Sequence, residues 1–313
     1  CAPRPPPPAV GASRTLSPMS TRGDDTTWRP GIPMPRPAGE PAPRPDLMDN
    51  PASQRVTRVA ALARRGMRTR HGRFLVEGPQ GVREAVRHAP RHVLDLYVTD
   101  AAATRYEEVV AQARGARIYV HRVTEAVMAA MSSDAQGLLA VVSTEVLTSS
   151  DRLDALLGGA RLVVVLTETQ DPGNAGTIIR AADAAGADAV VLARGSVEVT
   201  NPKTVRATAG SLFHLPVLTG LALDEVLTAL REAGLGTLAA DSRGDVDLFE
   251  ADELLARPSA WLLGNEARGL QPELLSEVDA VVSIPVFGAA ESLNVSAAAA
   301  VCLYASARAQ HAG

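Results

Sequence analysis

Aromatic residues make up 3% of this 313-residue chain, although hydrophobic residues of all kinds reach 46%. Alanine and valine must therefore do much of the filling of any core. Cysteine is nearly absent. Cys1 and Cys302 do not make a disulfide framework, which fits a reducing compartment, and a cytoplasmic location is expected. Cys302 falls in an alanine-rich stretch that reads as a buried helix. Lysine is scarcer still, with Lys203 the only one. No apolar run approaches the roughly 18 residues of a membrane helix, so no membrane partner is expected. Both glycine-rich phosphate signatures, GxxxxGKS/T and GxGxxG, are missing, which removes support for a P-loop NTPase or a dinucleotide-binding domain. The GxSxG elbow of serine hydrolases is missing too. The six histidines are scattered and Cys302 has no partner at ligand spacing, so no metal is expected.

What is present is first a charge asymmetry. The formal net charge is only −4, yet ten arginines lie between Arg55 and Arg91 with Glu77 and Glu84 alone opposing them. A basic block on an otherwise acidic chain points to a polyanionic partner, nucleic acid first. The plain alternative is an arginine-biased solvated surface. Arg64, Arg65, Arg68 and Arg73 are the candidate RNA contacts in this block, with Lys203 and Arg206 further along.

Residues 1–47 are rich in Pro and Arg, as in "CAPRPPPPAVGAS", and are expected to be disordered. Cys1 admits a processed-lipoprotein reading, but a numbering that begins upstream of the true start is preferred, with Met48 a plausible start. From Gln54 to Arg68 the pattern is a basic helix ending near Gly66. "RFLVEG", "VLDLYVTD", "RIYVHR" and "GLLAVVST" then read as strands, separated by "QGVREAVRHA", "AATRYEEVVAQARGA" and "TEAVMAAM" as helices. Alternation of this kind argues a small α/β domain over 54–145. Residues 146–160 read as a linker with a short helix, and a second alternating series fills 161–313. There "RLVVVL" and "DAVVLAR" are apolar without alternation, as strands buried on both faces are.

Three polar, glycine-marked turns each follow a strand of the second series. The first holds Asn174, Gly176 and, one turn on, Arg180; the second is "LLGNEARGL", with Gly264, Asn265, Glu266 and Gly269; the third is "IPVFGAAESLNVSAA", with Ile284, Ser292, Leu293, Asn294 and Ser296. Ligands of parallel sheets bind where such loops converge, at the carboxyl ends of strands. Each turn alone has a duller reading. Asn174 could be a helix N-cap, Gly264 and Gly269 plain turn residues, and Ser292 and Asn294 caps of the last helix. Arg180, among Ile179, Ala181 and Ala182, needs a partner if it is buried.

Together the three turns resemble the SpoU (TrmH-like) branch of the SPOUT RNA methyltransferases, in order and in spacing. The resemblance covers about 160–310. "GRFLVEGPQGVREAV" is similar to the small L30e-like substrate-binding domain that precedes the catalytic one in that branch. The resemblance implies an α/β fold with a C-terminal trefoil-knot, parallel-sheet domain. It also implies S-adenosylmethionine as cofactor, methyl transfer to a ribose 2′-OH of RNA, and a homodimer. Ribosomal RNA, most of all 23S, is favoured over transfer RNA; a non-catalytic RNA-binding protein of the same fold is the other alternative. Carried over residue by residue, Asn174, Arg180, Glu266, Ser292 and Asn294 surround the reacting ribose. Gly264, Asn265, Gly269, Ile284 and Leu293 hold the cofactor, largely through backbone. Arg180 matches the residue proposed to handle the proton in that family. A guanidinium, with a pKa above about 12, does not accept a proton. Its expected work is to orient the RNA phosphate and stabilise the developing alkoxide.

Overall fold

The computed structural model describes residues 47–312. The segment expected to be disordered, 1–47, lies outside the described residues except for Leu47, as does Cys1. Two sheets organise the rest.

The first is four-stranded and mixed, in the order β1-β4-β2-β3. Its elements run α1 (Gln54–Ala61), α2 (Arg65–His71), β1 (Arg73–Glu77), α3 (Pro79–His88), β2 (Val93–Thr99), α4 (Asp100–Arg105), α5 (Glu107–Gly115), β3 (Tyr119–Val123), α6 (Glu125–Met131) and β4 (Leu138–Ser143). β4 pairs antiparallel with both β1 and β2, and its first five residues are buried. Two helices expected to be continuous are each broken. Around Tyr106, with φ −120° and ψ 42°, the chain leaves α4 and re-enters helix as α5. The basic helix expected to run from Gln54 breaks after Ala61, because Arg68 turns back onto it. The Arg68 guanidinium donates to the carbonyls of Leu62 (3.1 Å) and Ala63 (2.7 Å), which supplies partners that a continuing helix would otherwise give.

The second sheet has seven strands, all parallel, in the order β7-β6-β5-β10-β8-β11-β9. Its elements are α7 (Leu153–Leu157), β5 (Leu162–Leu166), α8 (Pro172–Ala184), β6 (Ala189–Leu192), α9 (Pro202–Ala207), β7 (Val217–Thr219), α10 (Leu223–Glu232), β8 (Gly236–Ala240), β9 (Val246–Asp247), α11 (Asp252–Leu255), β10 (Ser259–Leu263), α12 (Pro272–Glu277), β11 (Ala280–Ser283) and α13 (Val295–His311). β5, β6 and β10 are buried along their whole length, which is why their sequences do not alternate. The short strands β7 and β9 carry too few residues to show a pattern and were not expected. α13 packs on α8 and also on β10, where the Trp261 indole N–H donates to Ser306 Oγ at 2.9 Å. Cys302 is fully buried, and burial pushes its thiol to about 12. Residues 146–160 are less free than a linker: Thr148 bridges to Leu218, and Leu153 and Leu157 join the core.

The two lobes are clamped together. Arg68, expected to meet RNA, is 3% exposed and spans the seam to Glu198, its Nε and Nη2 donating to the two carboxylate oxygens at 3.0 and 2.6 Å. Arg206, also expected to meet RNA, pairs instead with Glu77 and Asp134 of the small lobe. Burial works against an ionised Glu198, but Arg68 and the Thr200 hydroxyl outweigh it and hold its carboxyl below the usual range. A carboxyl depressed on folding stabilises fully above the unfolded value, near about 4.3, and stops doing so as pH falls through the folded one. Arg68→Ala should therefore cost about 2 kcal/mol at neutral pH, read by denaturant unfolding. The cost should shrink on acidification below pH ~4.

Candidate active site

All seven strands of the large sheet run the same way, so the loops after β5, β10 and β11 leave from one edge. These are the three loops singled out by sequence. The first leads into α8, whose N-cap is Asp171 rather than Asn174. Asp171 accepts from the Asn174 backbone N–H at 2.9 Å, and Pro172 at the first helical position needs no donor partner. That N–H holds the Asp171 carboxyl below the usual range, and Lys203 helps, its Nζ 3.5 Å from Asp171 Oδ2.

Asn174 stands one turn inside the helix and joins all three loops. Its Nδ2 donates to Glu266 Oε1 of the second loop at 3.2 Å, and its Oδ1 accepts from Asn294 Nδ2 of the third at 3.2 Å. Asn294 is in turn the N-cap of α13, accepting from Ser296 N (2.9 Å) and Ser296 Oγ (2.6 Å). The capping role and the site role of Asn294 are thus one geometry. Glu266 also accepts from the backbone N–H groups of Gln170 (3.2 Å) and Asp171 (3.1 Å). Partial burial pushes the Glu266 carboxyl up, but its own amide, those of Asp171 and Gln170, and the Asn174 side chain outweigh this and keep it below the usual range. Glu266 is therefore a fixed anion that ties one loop to another.

The second loop closes on itself. Asn265 and Gly269 exchange backbone hydrogen bonds at 3.0 and 2.9 Å, and Asn265 Oδ1 accepts from the amides of Ala267 and Arg268. Asn265 Nδ2 donates to the Glu168 carbonyl at 3.1 Å. Gly264 is demanded by this closure: a Cβ there would lie 2.4 Å from the Gly269 carbonyl carbon. The close approach that Gly264 allows is thus of the loop's own backbone. Gly269 has φ +66°, which disfavours a side chain. Arg243, not expected from sequence, braces the loop by donating to Leu270 O (3.2 Å) while forking onto Asp241. Asp171 was also missed, although an Asp-Pro pair ahead of a helical pattern is a start signal.

Gly176 does not shape the turn, as expected, but lies inside α8 against α9. A Cβ there would meet Ala207 Cβ and the Thr204 carbonyl, each at 2.5 Å. Arg180 is exposed and, among the described residues, has no hydrogen bond or ion pair, so the partner expected for it is not needed. It shares α8's solvent face with Thr177 and is not bonded to Asn174, Glu266, Ser292 or Asn294. Ser292 is exposed and Leu293 is 43% exposed, while Ile284 is half-buried at the end of β11. Of the arginines, Arg64 and Arg65 are exposed and Arg73 is half-buried. Arg65 Nε lies 3.7 Å from Glu198 and stays 82% exposed; Lys203 is 61% exposed.

The edge where these loops leave carries ionised Glu266, and Asp241 paired with Arg243, while the third loop adds the apolar side chains of half-buried Ile284 and exposed Leu293. That set fits a group with an apolar flank and a positive centre, as S-adenosylmethionine is.

The family model "SpoU rRNA Methylase family" matches residues 161–304, and "MRM3-like substrate binding domain" matches 53–140. A 23S rRNA (guanosine(2553)-2′-O)-methyltransferase, RlmP of Bacillus subtilis (strain 168), is 32% identical over 259 residues, covering 82% of this chain and 97% of its own. A 23S rRNA (uridine(2479)-2′-O)-methyltransferase of Streptomyces viridochromogenes is 33% identical over 274 residues, covering 82% and 93%. Among solved structures, the SpoU methyltransferase AviRb of Streptomyces viridochromogenes, in complex with AdoMet, superposes with a TM-score of 0.72 at 32% identity, over 83% of this chain and 100% of that one. With its three loop motifs joined at one sheet edge and relatives matched along nearly their full length, the chain belongs to the SpoU rRNA methylase family.

Proposed function

We propose that this chain methylates a ribose 2′-OH of 23S ribosomal RNA, with S-adenosylmethionine as the donor. The observation that carries the reading is the Glu266–Asn174–Asn294 chain of hydrogen bonds, which builds one polar junction out of all three motifs. The two curated relatives named above act on 23S RNA, which favours ribosomal over transfer RNA.

Gly264, Asn265, Gly269, Ile284 and Leu293 would hold the cofactor, whose sulfonium supplies an activated methyl group. The protein's part is positioning. Glu266, already saturated with N–H donors and held ionised, is a poor proton acceptor and serves to fix the loops. Asn174 and Asn294 are amides and accept no proton at neutral pH. Arg180, unpaired and exposed on α8, has its full fork of donors available for an RNA phosphate and for the ribose oxygen as negative charge grows there. The proton then leaves to water or to the RNA itself. Ser292, exposed beside Leu293, would line the ribose.

Arg64, Arg65, Arg73 and Lys203 form the RNA-facing charge, with 54–145 as an L30e-like recognition domain, 146–160 as the connection and 161–313 as the catalytic domain. The strand order, with β10 between β5 and β8, supports a threaded, trefoil-knotted chain. Val286, Phe287 at 91% exposure, Leu293 and Tyr304 are exposed beside the third loop and on α13, which supports a homodimer through that face. No helix among the described residues is long and apolar enough to cross a membrane, and the cytoplasm, where ribosomes are made, is the proposed location.

Mapping 2′-O-methyl groups in total RNA with and without the gene tests the reading. Loss of a single 23S site on deletion is expected. Loss of a transfer-RNA site instead would move the substrate, and no change in any RNA would overturn catalysis. Asn174→Ala, which unties the junction at a half-buried point, should lower kcat/KM about tenfold (about 1.4 kcal/mol) with little change in thermal stability.

A further inference from the structure

Away from the three loops, the seam between α3 and the catalytic lobe gathers two histidines and two carboxylates. Glu84 and His88 stand one turn apart on α3. His214 follows the short turn Ser211–Phe213, and Asp183 lies near the end of α8. His88 Nε2 is 3.3 Å from Glu84 Oε2, and His214 Nε2 is 3.2 Å from the same oxygen. The three ligand atoms lie within 4.8 Å of one another. For zinc bonds of about 2.0–2.1 Å, the edge of a tetrahedron is about 3.3 Å. Two of the three separations already have that length.

The second carboxylate is placed as a metal site requires. Asp183 Oδ2 lies 2.7 Å from His214 Nδ1; in the tautomer with its proton on Nδ1, Asp183 accepts it and Nε2, 3.2 Å from Glu84 Oε2, is the nitrogen left to ligate. A carboxylate on the far nitrogen of a ligating histidine fixes its tautomer and ring plane. The backbone is also shaped around Glu84. Gly210 has φ +104°, and a Cβ on it would lie 2.5 Å from Glu84 Cγ. His88 is 42% exposed, which leaves one side of the cluster open for water as a fourth ligand.

We propose that Glu84, His88 and His214 form a three-ligand site for a zinc-class divalent cation, with Asp183 as the positioning residue for His214. The ion would fasten α3 of the small lobe to the catalytic lobe and so set the angle between RNA recognition and methyl transfer. Two imidazoles and one carboxylate select zinc and its neighbours over magnesium or calcium. The sequence hides the site because Glu84 and His214 are 130 residues apart. The proposal does not depend on which RNA is the substrate.

The test uses the full chain, stripped with a chelator, dialysed, and titrated with Zn²⁺ by calorimetry and with Co²⁺ by visible absorption. One equivalent per chain, tetrahedral-type Co²⁺ bands and a rise in Tm with Zn²⁺ are expected. His88→Ala, at an exposed position that the fold does not need, should weaken binding at least about tenfold and abolish the Tm rise. Asp183→Asn, which keeps the size but not the charge, should weaken it about tenfold. If the chain shows no saturable binding, or if His88→Ala and His214→Ala bind as tightly as the unaltered chain, the site is wrong. The cluster is then only a charged His214 held between Glu84 and Asp183.

Discussion

Arg180→Ala is expected to lower kcat by about 10³, roughly 4 kcal/mol, while leaving S-adenosylmethionine affinity and thermal stability almost unchanged. The separation of effects follows from where the side chain sits. Arg180 is exposed and has no hydrogen bond or ion pair among the described residues, so its removal breaks no polar tie in the fold. The same freedom leaves all its donors for the RNA. Arg180→Lys is the sharper variant, because lysine keeps the charge and loses the planar fork. It should recover little of the activity. Single-turnover methylation of the mapped RNA, with cofactor affinity measured beside it, reads both effects. Near-normal turnover in Arg180→Lys would show that two-pronged positioning is not what this residue does.

The second large effect belongs to Gly264. A methyl group there would sit 2.4 Å from the Gly269 carbonyl carbon, 2.5 Å from its oxygen and 2.7 Å from Leu270 N, all backbone atoms that cannot rotate aside. The loop must move as a whole, and the paired Asn265–Gly269 bonds that close it must break. Gly264→Ala should weaken S-adenosylmethionine binding at least about 100-fold and cost about 1–3 kcal/mol of stability. Gly66→Ala is the matched control. It lies in α2 with nothing within 4 Å of the added carbon, so cofactor affinity should stay the same and stability should hold or rise by up to ~1 kcal/mol. Unchanged cofactor affinity in Gly264→Ala would detach this loop from the cofactor.

How much of this was legible beforehand depended on the range of the interaction. The three motifs could be read because each is a short run whose residue types are fixed by a local turn. The buried strands β5 and β6 could be read because a strand covered on both faces shows continuous apolar residues. That Asn174 and Asn294 touch could not, since they are 120 residues apart and meet only because of the strand order. Arg68 misled for the same reason. In the sequence it is one of ten arginines in a basic block; in the fold it faces Glu198, 130 residues away, and is spent on the seam. Arg180 is the reverse case, since Ile179 and Ala182 beside it in sequence are buried while Arg180 itself is exposed. Gly176 was read as a turn residue because the close crossing of α8 and α9 leaves no local trace.

The strand order also bears on how the chain is made. β5 takes β10 as a neighbour, and the bond from Thr167 N–H to Leu263 O across that seam joins residues 96 apart. A chain emerging from the ribosome therefore holds β5 with one edge bare until β10 arrives, and β8 waits for both β10 and β11. The small lobe, whose last strand ends at Ser143, has all its partners much sooner. A product cut short before Ala280–Ser283 would carry a finished recognition lobe and a ragged, apolar sheet edge, with no active site. Such fragments would be conspicuous to chaperones and proteases, so the topology doubles as a check that synthesis was completed.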